Sequence, residues 1–93
     1  MGVQIQFIND VPEPYEAFVI LRDNEMVIDM PATDEYPPYL IKGKQVQHYY
    51  VGENSAGQQP RRVHAKWASL GRVYVGQWNE EGQEYLFSFQ LNE

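Results

Sequence analysis

Two histidines, His48 and His64, are the side chains of this 93-residue sequence best suited to proton transfer. Residues 52–60 have the composition of a loop, and a hairpin symmetric about Ala56 would place His48 opposite His64 on neighbouring strands. Two adjacent imidazoles among cations could act as general acid and general base on a phosphate ester. The simpler interpretation is that both histidines lie on a solvent-exposed sheet face and do no chemistry.

The same segment makes a poor metal site. Zinc needs at least three protein ligands, yet the chain has no cysteine, and Glu53 is the only carboxylate near the two histidines. Neighbouring cations also oppose the binding of a divalent ion. The sequence contains no glycine-rich phosphate loop and no nucleophile elbow. We therefore expect no metal and no cofactor.

Charge is distributed unevenly along the chain. Residues 42–72 contain six of the seven Lys and Arg residues and one acid, a net charge of +5. The remainder contains one Arg and twelve acids, a net charge of −11, so the whole chain carries −6. This segregation predicts that a basic surface and an acidic surface coexist on one small domain.

The basic segment interleaves cations with aromatic rings, which is the composition of an anion-binding surface. Its members are Lys42, Lys44, His48, Tyr50, Arg61, Arg62, His64 and Lys66. Because the whole chain is negative, these few cations suit a local acidic patch on a protein better than bulk duplex nucleic acid. The alternative is a solvated sheet face whose charges prevent edge-to-edge aggregation.

Two further features have both a functional and a structural interpretation. The acidic residues lie mostly in predicted turns, where they favour solubility, but they could also mimic nucleic acid in a small inhibitor. The segment Tyr36-Pro37-Pro38-Tyr39 could dock in an aromatic groove of a partner through its extended shape. Otherwise its two rings pack down and close one end of the domain.

Alternation of apolar and polar residues with a period of two predicts β-strands through most of the chain. Residues 3–7 alternate as in a half-buried strand. Residues 17–21 and 26–30 flank the turn sequence at 22–25 and predict a hairpin. Because residues 17–21 are all apolar, we expect this strand to be covered on both faces.

The last forty residues predict an antiparallel meander. Turns at Leu70-Gly71 and at residues 79–82 would pair Tyr74 with Trp67 on one side and with Phe87 on the other. The predicted core face carries Tyr49, Val51, Val63, Ala65, Trp67, Tyr74, Trp78, Tyr85, Phe87 and Phe89. The predicted outer face carries Lys44, His48, Tyr50, Arg62, His64, Lys66, Val73, Val75 and Leu86.

These patterns predict an all-β fold: a small single-domain barrel or two-layer sandwich of about seven to eight short antiparallel strands with a C-terminal meander. The length predicts one domain over residues 1–93. The start of the sequence lacks the charged and apolar regions of a signal peptide, no stretch is long enough to span a membrane, and cysteine is absent. We therefore expect a cytoplasmic protein without membrane contact.

The function that these observations favour is a non-enzymatic interaction module that binds a protein partner through a mixed basic and apolar sheet face. The predicted binding residues are Lys44, Tyr50, Arg62, His64, Lys66, Val73, Val75 and Leu86. Self-association as a homodimer would also explain the apolar residues. Two alternatives remain: a small enzyme acting on an anionic small molecule through His48 and His64, and an acidic inhibitor or nucleic-acid mimic.

Overall fold

The computed structural model describes residues 1–8, 14–56 and 62–91, which form eight antiparallel strands and no helix within those ranges. The strands are β1 (Gly2–Phe7), β2 (Tyr15–Arg22), β3 (Glu25–Met30), β4 (Tyr39–Val46), β5 (Tyr49–Asn54), β6 (Val63–Leu70), β7 (Val73–Glu80) and β8 (Gln83–Gln90). Each strand pairs with the next, and β8 returns to β1, so the sheet closes into a barrel. The predicted all-β fold is confirmed, as a barrel and not a sandwich. The described part of the chain offers no helix that could cross a membrane.

Hairpin turns define two ends of the barrel. The upper end carries three two-residue turns, Asp23-Asn24, Gln47-His48 and Gly71-Arg72. The lower end carries the connection over residues 31–38 and the turn Glu81-Gly82. The predicted hairpin between β2 and β3 is confirmed.

Apolar side chains fill the interior, and no polar or charged residue in the described ranges is buried. The largest fully buried members are Trp67, Phe87, Ile5, Met26, Ile28, Met30, Ile41 and Val63. The Trp67 indole lies against Gly43, and the Trp67 backbone and Cβ lie against Gly76; a Cβ atom at either glycine would overlap them. The two glycines therefore leave the space that the largest core side chain occupies.

The registers of β6, β7 and β8 keep the predicted faces but not the predicted partners. Trp67 pairs with Gly76, and Tyr74 pairs with Phe89, each two residues beyond the predicted partner. Each turn is centred one residue later than predicted, which moves the register by two. Because alternate residues of a strand share a face, such a shift leaves every side chain on its predicted side. The buried positions of Trp67 and Phe87 are accordingly confirmed.

The predicted hairpin symmetric about Ala56, which requires a continuous strand through His48, is wrong. Gln47 adopts a left-handed conformation with φ of 58° and forms a turn with His48, so residues 45–51 divide between β4 and β5. The new turn inverts the faces of β5: Tyr50 points inward, whereas Tyr49 and Val51 point outward. The predicted core positions of Tyr49 and Val51 are therefore wrong.

The expectation that residues 17–21 are covered on both faces is also wrong. Ala17 and Val19 are buried in the core, but Phe18 and Ile20 on the same strand point outward and are exposed. A barrel this small has one interior, so only one face of each strand can be buried by the chain itself.

Barrel closure depends on a short seam between β1 and β8. Within the described residues, only Gln6 with Ser88 and Phe7 with Phe87 are paired there, with one further backbone hydrogen bond of 2.8 Å from Ile8 N to Leu86 O. Every other strand pair in the described barrel joins strands that are consecutive in sequence.

Candidate interaction surface

The barrel interior is occupied by the protein itself. Rings pack around Phe87, whose centroid lies 6.2 Å from that of Trp67 and 5.9 Å from that of Trp78. The Trp67 indole N–H is directed at the Met26 sulfur, 3.2 Å away, so even this donor has an internal contact. Recognition by the described part of the chain must therefore use the outer face or the ends.

The two histidines do not meet, and the predicted His48–His64 pairing is wrong. His48 lies in an upper turn, at the level of Ser69, whereas His64 lies five residues further down β6. Five residues of strand separate the two levels by roughly 17 Å. The strand neighbour of His64 is instead Glu53, and 3.0 Å separates His64 Nδ1 from Glu53 Oε1. His48 lies in the Gln47-His48 turn and not on a strand beside His64. The adjacent imidazoles that the histidine-pair mechanism requires are therefore absent.

Most of the predicted binding residues share the outer surface of strands β4 to β8. Strand pairing sets them in rows that run across the barrel. The central row consists of Lys44, Val51, Lys66, Gln77 and Leu86. Lys44 and Lys66 lie two strands apart, roughly 10 Å, with Val51 between them. Val51 and Leu86 are exposed apolar side chains within this polar row.

An apolar row lies directly above the central row, towards the upper end. It consists of Val46, Tyr49, Ala68, Val75 and Ser88. The Lys66 ammonium nitrogen is 4.1 Å from the centroid of the Tyr49 ring, a cation–π contact that holds the lysine over the apolar row. Val46 is exposed, and Tyr49 and Val75 are half-buried, so the row offers apolar surface to solvent.

A charged row lies below the central row and consists of Lys42, Glu53, His64, Asn79 and Glu84. A shallow depression of about 180 Å³ spans the central and charged rows. Its lining residues are Val51, His64, Ala65, Lys66, Gln77, Asn79 and Glu84. The three rows together, from Val46 to Glu84, are named the row surface below.

Two of the predicted binding residues lie elsewhere, and a third lies at the margin. Tyr50 points into the upper end, where its ring stacks on Trp67 with centroids 5.8 Å apart. Arg62 precedes β6 at the lower end, and its carbonyl accepts a hydrogen bond from Glu81 N at 3.1 Å. Val73 pairs with Leu70 beside the upper turn, beyond the apolar row. Lys44, His64, Lys66, Val75 and Leu86 remain on the row surface.

Burial controls the ionisation of the tyrosines at the two ends. Tyr74 stacks on Phe89 with ring centroids 5.1 Å apart, and burial, followed by the proximity of Tyr50, raises the pKa of its phenol above the ordinary 10.0. Burial likewise raises the pKa of Tyr15, whose hydroxyl donates a 2.6 Å hydrogen bond to the Pro31 carbonyl. Both phenols stay neutral near neutral pH and contribute no charge to a site.

The Tyr36–Tyr39 segment closes the lower end. Tyr39 is buried, its ring contacts Trp78 edge-on at 5.4 Å, and its hydroxyl donates to a Glu80 carboxylate oxygen at 3.3 Å. Tyr36 lies against Tyr15 with centroids 6.3 Å apart. With the Tyr39 ring buried, the structural interpretation of this segment is the correct one.

An apolar area on the opposite side of the barrel was not predicted from the sequence. On the outer face, Ile20 of β2 lies beside Val27 of β3, and Leu40 of β4 lies in the row of Phe18, beyond Asp29. The four apolar residues of this group are named the β2 patch below. The run of apolar residues at 17–21 revealed its composition, but only the closed barrel shows which members face solvent.

No protein-family model, no curated protein and no solved structure matches the chain. Within the described ranges, no three His, Cys, Asp or Glu side chains are grouped so that they could hold a metal ion.

Proposed function

We propose that this chain is a non-enzymatic interaction module that binds another protein through the row surface. The observation that carries the proposal is the central row, in which Lys44 and Lys66 flank the exposed Val51 on an otherwise acidic chain. Protein interfaces combine an apolar centre with charged groups at the rim, and this row has that composition. Since cysteine is absent, we place this function in a reducing compartment, the cytoplasm.

The chemistry of the surface defines its partner. Two lysines roughly 10 Å apart suit a pair of carboxylates, and Val51 with the apolar row suits an apolar side chain between or beside them. The partner is therefore a protein segment that carries acidic residues around an apolar one. A long polyanion fits less well, because the remaining surface repels it.

The cation–π contact prepares Lys66 for this role. An ammonium group held against Tyr49 at 4.1 Å has lost part of its side-chain freedom before a partner arrives. Less entropy is then lost on binding, which strengthens the interaction with a carboxylate. On this proposal, Tyr49 positions the lysine and also contributes apolar contact area.

The proposal is tested by affinity capture from the native host with Lys66→Glu as the test variant. Arg72→Glu, which makes the same charge change in an upper turn, is the matched control. We expect a protein that is retained by the native chain and by Arg72→Glu and is lost by Lys66→Glu. Circular dichroism and thermal unfolding should show that both variants keep the fold, since both side chains are exposed.

Ionic strength distinguishes the contribution of the lysines to binding from that of the apolar residues. Capture by the native chain should weaken as ionic strength rises, because the lysines act through solvent within a Debye length of roughly 8–10 Å. Val75→Asp should weaken capture even at high salt, where the contribution of charge is already screened. A partner retained by Lys66→Glu and Val75→Asp alike binds elsewhere, and its retention would overturn the proposal in favour of the acidic turns.

A further inference from the structure

The β2 patch is an apolar surface that the barrel does not need for its own core. Phe18 is 54% exposed and Ile20 is 44% exposed, while Ala17 and Val19, their neighbours on β2, supply the buried contacts. Strand pairing places Val27 beside Ile20, and Leu40 beyond Asp29 in the row of Phe18. Val27 and Leu40 are half-buried, so Phe18 and Ile20 form the exposed centre of the patch. Exposed apolar patches mark interaction sites on soluble proteins.

Charges at the two ends of β2 are arranged so that the surface complements itself. The outward residues of the strand are, from the lower end to the upper end, Glu16, Phe18, Ile20 and Arg22. An acid, two apolar residues and a base therefore follow one another at alternate positions. Within the described chain, neither Glu16 nor Arg22 forms an ion pair, so both charges remain available to another molecule.

We propose that this surface binds a second copy of the chain, with β2 lying antiparallel against β2 of the other copy. A two-fold axis between the two sheets, perpendicular to β2 and level with Val19, places Phe18 of one copy over Ile20 of the other. The same operation sets Glu16 of each copy against Arg22 of its partner, which gives two equivalent ion pairs. Contact of a surface with itself is the usual geometry of a homodimer.

The neighbouring strands are compatible with this arrangement. On β3, Val27 is level with Ile20 and Asp29 is level with Phe18, so the same operation sets Asp29 of each copy over Val27 of the other, and Glu25 lies beside Arg22. Lys42 follows Val27 in the same row and can reach Asp29 of the other copy. The acid Glu25 between Arg22 and Lys44 weakens the positive end of the surface without reversing its charge.

A depression lies beside Phe18 on the side of β1. It is shallow, has a volume of about 670 Å³ and is lined by Gly2, Val3, Gln4, Glu16, Ala17, Phe18 and Gln90. Gly2 pairs with Phe18 and has nothing within 4 Å of the position where a Cβ would lie. A stable interface buries about 800 Å² on each partner, roughly an eighth of the 6371 Å² surface of the chain. Four residues and their rim give a weaker, reversible dimer.

The dimer is independent of the proposed partner-binding function. In an eight-stranded barrel, β2 lies opposite β6, so dimer contact leaves the central row open from Val51 to Leu86, and the two surfaces meet only at Lys42 and Lys44 of β4. A chain that stays monomeric but loses its captured partner on Lys66→Glu contradicts the dimer alone. A dimer whose captured partner is indifferent to Lys66→Glu contradicts the function alone.

Sedimentation equilibrium over a range of protein concentrations tests the dimer. We expect the mass to rise reversibly from 10.9 kDa towards twice that value. Glu16→Arg and Arg22→Glu should each remain monomeric at concentrations where the native chain is dimeric, because each variant places like charges together twice. Mixed in equal amounts, the two variants should form a heterodimer, since every pair then joins opposite charges.

Restoration by mixing is the decisive result, because a general loss of stability would not be repaired by the complementary variant. Phe18→Ser should weaken association in every combination, and circular dichroism should confirm that all variants are folded. A native chain that remains monomeric throughout overturns the proposal. So does a dimer that survives Arg22→Glu and Phe18→Ser but is lost on Lys66→Glu, which would assign self-association to the row surface.

Discussion

The two halves of the barrel fill one shared core with different kinds of side chain. Strands β1 to β4 fill their share of the interior mainly with aliphatic side chains, with Tyr39 as the buried ring among them, and place apolar Phe18 and Ile20 outside. Strands β5 to β8 fill theirs with rings, above all Trp67, and their outer face is mostly polar around residues such as Lys66 and Gln77. The inner faces form one core, whereas the outer faces have opposite chemistry.

This difference shows where an outer face is under a further constraint. β6 alternates between Val63, Ala65 and Trp67 inside and polar residues such as His64 and Lys66 outside. A strand that is apolar at both faces, such as β2, exposes surface that costs solubility unless something else covers it. On the two proposals above, the apolar exterior of the first half and the basic exterior of the second are separate contact surfaces.

The strongest test of a shared core is the removal of its largest side chain. Trp67→Ala should lower the free energy of unfolding by roughly 3–5 kcal/mol, because the cavity would lie between Gly43 and Gly76 and small backbone shifts cannot fill it. Denaturant titration by circular dichroism measures the change. Lys66→Ala, one residue away on the outer face, is the control and should change stability by about 0.5 kcal/mol or less. Equal effects would mean that β6 faces the opposite way.

Replacing a glycine with alanine distinguishes the close contact between β6 and β7 from the open space at the start of β1. At Gly76 an added Cβ would collide with the Lys66 carbonyl oxygen and the Trp67 backbone, neither of which can rotate away. Gly76→Ala should therefore destabilise by about 1–3 kcal/mol or more. Gly2→Ala, where the space is open, should be nearly neutral. Thermal unfolding of the two variants makes the comparison, and tolerance of Gly76→Ala would contradict the close approach of β6 and β7.

Alkaline pH should reveal the buried phenols at the two ends. Because the folded-state pKa of Tyr74 is raised above its ordinary 10.0, the stability it contributes is present below that value and lost as pH rises through the folded-state pKa. Tyr74→Phe should make the loss of stability above about pH 10 less steep and leave the neutral range unchanged. Tyr15→Phe is the comparison in the first half, and it also removes the hydrogen bond to Pro31. Unfolding midpoints measured against pH give both slopes.

The smallest expected effect is that of the exposed ion pair on the row surface. Glu53→Gln removes the partner of His64, but both side chains are more than half exposed, at 70% and 63%. Solvent screens such a pair, so stability should change by less than about 1 kcal/mol. Chemical denaturation of the variant measures this. A larger loss would show that the pair holds β5 against β6 rather than belonging to a contact surface.

Much of the fold could be predicted because alternation survives small errors in register. Turns displaced by one residue moved the pairing of β6, β7 and β8 by two, which preserved the inward position of Trp67 and Phe87. The error at β4 and β5 was of another kind. Gln47 has a side chain and yet a left-handed backbone, and no glycine or asparagine marks the turn in the sequence. This one unpredicted turn reversed which side chains of β5 point inward.

The site was predicted in part for the same reason. Lys66, His64 and Leu86 lie on alternating strands, and Val75 shares their face through the predicted meander, so their outer position followed from the sequence. The predicted outer position of Tyr50 depended on which face of β5 points inward, and it was wrong. The β2 patch could not be predicted from the apolar run alone, because that run fits a buried strand of a parallel sheet equally well until the closed barrel shows that only one face is covered.

The seam between β1 and β8 has a consequence for how the chain reaches its native state. Seven of the eight strand pairings join neighbours in sequence and can form as local hairpins with little loss of loop entropy. The eighth brings Phe7 to Phe87, across almost the whole described chain, and it has only two residue pairs to stabilise it. Long-range pairings of this kind slow folding. We therefore expect the seven local pairings to form quickly. The free edge of β1 should remain unpaired until β8 pairs with it.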